Sequence, residues 1–257
     1  MSGPVELLGV AASGLLVLIA VGISAWAGLR LERDLITAAL RALVQLLLLG
    51  LVLTALMAPG QPLALSWLWV AVMILFAGWT VHRRVPSVRG LWLLSMGAFA
   101  ASAVVTLGVL FGAGVFPVTG TTVVPLAGLM IGNSMTATIL VSRRIMAEFK
   151  DKRLEIEARL ALGHPSSEAA KPYLREALRT ALIPQVETTK AVGIVFLPGM
   201  MVGLLLAGVS PLGAVQAQVV IMYLVLGSVA VTTSVIALGM RRILFTHAHQ
   251  LRLPNDE

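Results

Sequence analysis

Seven apolar runs, at residues 5–29, 35–56, 65–81, 91–115, 123–141, 191–207 and 213–238, are each about as long as the hydrocarbon core of a bilayer is thick. That single feature limits what the chain can fold into. A bilayer core has no water to pair with backbone N–H and C=O groups, so a spanning segment is either a helix or a strand of a closed barrel. The runs lack the strict alternation of barrel strands. The expected fold class is therefore an all-α polytopic membrane protein with seven transmembrane helices, forming one transmembrane domain over 1–257. Apolar residues make up 58% of the chain and charged residues 12%, which leaves no material for a separate soluble domain. Residues 1–6 lack a basic region and no small-residue cleavage site follows the first run, so that run is expected to be a retained span and not a cleaved signal.

The basic residues orient the spans. Arg30, Arg33 and Arg41, then Arg83, Arg84 and Arg89, then the ten between 143 and 190, and finally Arg241, Arg242 and Arg252 all fall on alternate connections. The intervening connections, MAPGQP, VFPVTGTT and AGVSPLG, contain no Lys or Arg. The positive-inside rule then places the N-terminus outside and the C-terminus in the cytoplasm. Trp67, Trp69, Trp79 and Trp92 lie near run ends and read as interfacial anchors. The net charge of +7 belongs to this topology and to attraction for the inner leaflet, so no nucleic-acid partner is expected. The absence of cysteine excludes disulfide and thiolate chemistry.

Residues 143–190 form the one large cytoplasmic connection and hold 17 of the 31 charged residues. The apolar spacing predicts a helix over 143–162 that continues the fifth span, ended by Gly163. Pro165 turns the chain, Ser166 can cap a short helix, Glu168 suits its positive end, and Pro172 opens a return helix that stops before Pro184. A short helix laid across the tips of two membrane helices can pass force from a cytoplasmic partner into the membrane. Glu157, Ala158, Leu162 and Gly163, followed by Leu182, Ile183 and Pro184, resemble the EAA-type coupling loop of ABC transporter permeases. Arg159 stands where that motif has a second Ala, and the interval from Gly163 to Pro184 is longer than importers use. The literal EAA at Glu168 to Ala170 lacks a Gly at the motif spacing.

Over most of its length the chain more closely resembles the FetB/YbbM family of ABC permeases, through RALVQLLLLG, MIGNSMTATILVSRR, EARLALG and above all VGIVFLPGMMVGLLLAGVSPLGAVQAQ. The resemblance implies a seven-helix, exporter-type permease, a homodimer working with a separate cytoplasmic ABC ATPase that uses ATP and Mg. Bacterial members are associated with iron export, and plant relatives with aluminium tolerance and nucleotide-sugar transport. On this reading Glu157, Ala158, Leu162, Gly163, His164, Pro165, Ser166, Ser167 and Glu168 form the ATPase-coupling segment. The residues agree that energy comes from elsewhere: no G-x-x-x-x-G-K-[ST] phosphate loop occurs, so the chain is expected to bind no nucleotide or other cofactor itself and to be no enzyme.

Polar and broken places inside the spans are the candidate translocation path. PLAGLMIGNSMTATIL places Met130, Asn133, Ser134, Met135 and Thr136 in one run; their plainer role is helix-to-helix contact. No histidine is predicted near Ser134, which excludes a serine-hydrolase reading. Pro198 and Gly199, mid-run in FLPGMMVG, predict a kink, and Met200 and Met201 add soft thioethers that either fill gaps or touch a metal in transit. Arg41 and Gln45 share a helical face with Asp34, and Glu187 and Lys190 are spaced for a local ion pair, each set an anchor or a gate. Gln216 and Gln218 read as interfacial. The metal ligands, if any, are not specified by the sequence. Two other classes remain open: a proton-coupled carrier acting without an ATPase, and a non-transporting scaffold or receptor. A proton carrier needs carboxylates buried in its spans, whereas the acidic residues here are cytoplasmic, terminal or, as Glu6 and Glu187, at run edges, and the broken spans disfavour a scaffold.

Overall fold

The computed structural model describes residues 7–56, 58, 60–246 and 248–253. The expected position of the N-terminus on the outer side falls on residues outside that set. Among the described residues the chain is helical with no strand beyond two isolated bridges, and it divides into two compact units, 1–61 and 62–257.

The first unit is a helix pair, α1 (Leu7–Trp26) and α2 (Glu32–Leu56). Its elbow is tied by the buried Ser24, whose hydroxyl donates to Glu32 Oε1 at 2.9 Å and accepts from the Leu31 amide at 3.1 Å. Beyond the elbow, α2 buries none of its most apolar 18-residue window, the condition of a helix whose solvent is lipid.

In the second unit, α3 (Leu63–Arg84), α4 (Leu91–Gly112), α5 (Gly120–Asp151) and α10 (Pro211–Leu244) form a bundle. Its core holds Val81, Leu91, Phe99, Leu107, Met130, Phe149, Ile236 and Met240, all essentially inaccessible. Lipid is as apolar as these side chains, so close fit and interhelical polar contacts must hold the helices together. Gly78 on α3 supplies fit, since a Cβ there would stand 2.7 Å from Met96 Cγ. Polar contacts cross between helices as well: Ser102 of α4 donates to the Ser228 carbonyl of α10 at 3.1 Å, and Thr106 Oγ1 lies 3.1 Å from Met130 Sδ.

Five helices, α2, α3, α4, α5 and α10, are long and apolar enough to cross a membrane, and α1 holds a shorter apolar segment over Ala12–Trp26. The sixth run departs from expectation. Residues 191–207 are not one helix: α8 (Lys171–Ala191) ends where that run begins, residues 192–198 are irregular, and α9 (Gly199–Leu206) has eight residues. At 1.5 Å per residue α9 spans about 12 Å, too little to cross. Pro198 is thus not a mid-span kink but the residue that caps α9. The remaining differences lie in the charged connection. The helix expected over 143–162 is interrupted at Lys152, whose backbone (φ −105°, ψ 21°) leaves helical geometry and separates α5 from α6 (Arg153–Ala161). The return helix does not stop before Pro184 but carries it inside α8, on an exposed side where the missing N–H costs one backbone bond and where its carbonyl accepts from Thr188 Oγ1 at 2.8 Å.

Candidate functional site

Gly163 ends α6 in the left-handed conformation (φ +89°), with its amide donating to the Leu160 carbonyl at 2.9 Å and the His164 amide to the Arg159 carbonyl at 3.1 Å. This Schellman turn reverses the chain into α7 (Ser166–Ala169). Pro165, not Ser166, is the residue that caps α7. Ser166 has a different partner: its amide donates to His249 Nδ1 at 3.3 Å and its hydroxyl lies 2.9 Å from the same nitrogen. Nδ1 is the acceptor, so the proton of a neutral ring sits on Nε2. The underside of α7 is closed, with Ala169 and Ala170 wholly buried, while Ser167 and Glu168 are exposed and Glu168 pairs with His164 Nδ1 at 3.4 Å.

α6 is fastened to α8 by charge. Lys152 Nζ and Tyr173 Oη both donate to Glu155, at 2.7 and 3.0 Å, and the Arg159 guanidinium lies 5.9 Å from the Tyr173 ring centroid. The hydrogen bond from Lys152, with help from Tyr173, holds the Glu155 carboxyl below its ordinary range, and the carboxylate raises Lys152 in turn. Burial pushes the Tyr173 phenol up, reinforced by Glu155. Glu157 pairs with Arg153 at 2.7 Å. Ala158 is exposed on α6, and Leu154 on α6 and Leu162 just beyond its end are each 80% exposed. α8 packs on both α5 and α10.

The tail after α10 completes this face, and sequence reasoning did not assign it. Phe245 packs edge-to-face on Phe149 (5.9 Å), Phe245 and Leu251 form an antiparallel bridge, and Leu253 is buried. The apolar residues Phe245, Leu251 and Leu253 set among polar ones in FTHAHQLRL were the available signal. Between tail, α7 and the last turn of α10 lies a cavity of about 440 Å³ lined by Ser166, Ser167, Arg241, Arg242, Thr246 and His249 among others. A second, of about 570 Å³, adjoins it through Ser167 and Arg241.

The intramembrane candidates do not come together. On α5, Met130 and Ser134 are fully buried in the bundle, Met135 is half-buried, and Asn133 and Thr136 lie on the outward side. Asn133 Nδ2 donates to the Leu129 carbonyl at 2.8 Å and Thr136 to the Gly132 carbonyl at 3.3 Å. Ser134, Thr138 and Ser142 instead form a buried row, each hydroxyl without a hydrogen-bond partner among the described residues. Met200 is exposed and Met201 half-buried on α9, next to Pro198 and Gly199. The preceding loop presents Ile194 at 91% exposure. Glu187 and Lys190 pair at 2.9 Å on the exposed end of α8. Arg41 and Gln45 are exposed on α2, in the other unit. Among the described residues no three His, Asp or Glu side chains converge as a metal-holding group.

Residues 7–245 match a family described as "Uncharacterised protein family (UPF0014)". The chain is 34% identical to "UPF0014 membrane protein YjkA" of Bacillus subtilis, over 92% of this chain and 94% of that protein. It is 31% identical to "Probable iron export permease protein FetB" of Escherichia coli, over 92% and 91%. It is also 31% identical to "Protein ALUMINUM SENSITIVE 3" of Arabidopsis thaliana, over 94% and 88%. No solved structure matches. With its helical bundle, its apolar spans and its whole-length likeness to these membrane proteins, the chain belongs to the UPF0014 family.

Proposed function

We propose that this protein is the membrane-spanning permease subunit of an ABC-type exporter in a bacterial inner membrane, moving iron or another metal ion out of the cytoplasm. It would act as a homodimer with two copies of a separate ATPase. The observation that carries the reading is the 31% identity to a protein named as an iron export permease, extending over nine-tenths of both chains. The charged segment supports it. α7 is backed by buried alanines, presents Ser167 and Glu168 outward, and follows a turn at which Leu162 is exposed. Those are the properties of a rigid knob with apolar surroundings on which an ATPase can push. From there α8 would carry the displacement to α5 and α10, whose relative movement alternates access. Asn133 and Thr136, on the outward side of α5, would face the path or the second copy, with the α8–α9 break as the flexible point.

The test is co-purification with the P-loop ATPase, followed by iron-stimulated ATP turnover in liposomes. Gly163→Pro should abolish stimulation, because proline cannot adopt φ +89° and the turn into α7 would be lost. Iron transport into vesicles holding this chain alone would overturn the ABC reading. Turnover that ignores iron while responding to another solute would overturn only the cargo.

A further inference from the structure

The two adjoining cavities beside α7 differ in character along α10. At the Arg241 end they are cationic, with Arg241 and Arg242 on α10 and Lys171 and Arg175 on α8. Among the described residues the guanidinium groups of Arg175, Arg241 and Arg242 make no hydrogen bond or ion pair, and the single facing carboxylate, Glu168, is engaged with His164. Toward the membrane the larger cavity is walled by Leu174, Leu178, Ala237 and Leu238 and reaches Ser234. Ser234 lies seven residues before Arg241, about 10 Å along the helix. One continuous groove therefore offers paired cations and hydroxyls where a span leaves the bilayer, and an apolar slot running about two turns into it.

We infer that this groove binds one anionic phospholipid, its phosphate between Arg241 and Arg242 beside the Ser166 and Ser167 hydroxyls and the start of an acyl chain against Leu178 and Leu238. A free phosphate would satisfy the arginines but leave the slot unexplained; a neutral lipid would fill the slot but leave the cations unmatched. Basic pockets between transmembrane helices at the membrane surface recognise headgroups of this kind. The leaflet is the inner one on the orientation that the basic residues predict. Because the phosphate sits against the residues that start α7, an occupied groove fixes α7 against α10.

The test uses the full chain in nanodiscs of phosphatidylcholine with and without phosphatidylglycerol, reading retained lipid by native mass spectrometry after detergent extraction, with thermal unfolding as a second readout. The wild type should retain phosphatidylglycerol over phosphatidylcholine by on the order of tenfold, each surface arginine contributing attraction to an anionic lipid. The double variant Arg241→Gln, Arg242→Gln should lose that preference. Ser234→Phe, which fills the slot and leaves every charge in place, should lose it as well. Arg83→Gln, whose guanidinium lies over Trp79 away from the groove, should keep it. Loss in Arg83→Gln equal to that in the double variant would reduce the effect to general surface charge and overturn the site. Displacement of the lipid by inorganic phosphate, or full retention in Ser234→Phe, would make the ligand a soluble phosphate and overturn the lipid. No ATPase is present, so either failure is separate from the transport reading.

Discussion

Glu155 shows how one exposed side chain joins two elements by chemistry alone. Its folded-state carboxyl titrates below the ordinary value because Lys152 and Tyr173 donate to it. A depressed carboxylate contributes stability that is present above the unfolded value and is lost as pH falls through the folded one. Lys152, raised by the same contact, contributes below its unfolded value and loses that contribution as pH rises through the folded one. The tie between α6 and α8 is thus expected to be whole across neutral pH and to loosen in acid. Amide exchange over residues 153–161 should quicken as pH falls through the depressed value, beyond the intrinsic pH effect, and Glu155→Gln should remove the excess. Gly163 gives a second expectation. A Cβ there meets no atom within 4 Å, so Gly163→Ala carries only the left-handed backbone cost, about 1 kcal/mol, seen as a modest drop in thermal midpoint. The two sites differ in how far the sequence shows them. Gly163 was, because glycine after a helical pattern has few other uses; the Glu155 tie was not, because Tyr173 is eighteen residues away and only the reversal through α7 brings it back.

Among the elements, the tail after α10 is the piece that ties α7 to the end of α5. Its anchor, Phe245, is buried against Phe149, which lies on the charged extension of α5. Phe245→Ala should cost about 3 kcal/mol of local or global stability through the lost burial and the cavity left behind. The same substitution should release His249 from Ser166, so exchange over residues 164–170 should rise even if the bundle holds; unchanged protection there would refute the link from the tail to α7. The interrupted sixth run belongs to this scale too. Hydropathy over 191–207 gives no sign that α8 stops at Ala191, because the residues of the irregular stretch are as apolar as those of a helix. Gly193, at φ +84°, is the local cause: its amide donates to the Phe196 carbonyl in a tight turn, and Pro198 then lacks the N–H a continuing helix would use.

At the scale of the molecule, the distribution of charge predicts orientation, and the cysteine-free chain makes this simple to measure. Single substitutions Thr121→Cys and Lys171→Cys should label oppositely with a membrane-impermeant thiol reagent: the first on intact cells, the second only after permeabilisation. The reverse pattern would invert the topology. The class of solvent, the number of apolar runs and the helical character follow from composition along the chain, and so does the sidedness that the labelling would test, because transfer between water and lipid depends on each residue's own polarity and is summed locally. The EAA-like residues could be found the same way, as a motif of fixed spacing. What needed the tertiary structure was everything set by which side of a helix meets another. Met130 and Ser134 are core while Asn133, one residue away, is not, since a helix turns about 100° per residue and no pattern within α5 says where α3, α4 and α10 will stand. Arg241 and Arg242 read along the sequence only as topology markers. Their meeting with Ser166 and Ser167, some seventy-five positions earlier, depends on α8 and α10 packing side by side, a choice made by the fit of long-range surfaces and written in no local stretch of the chain.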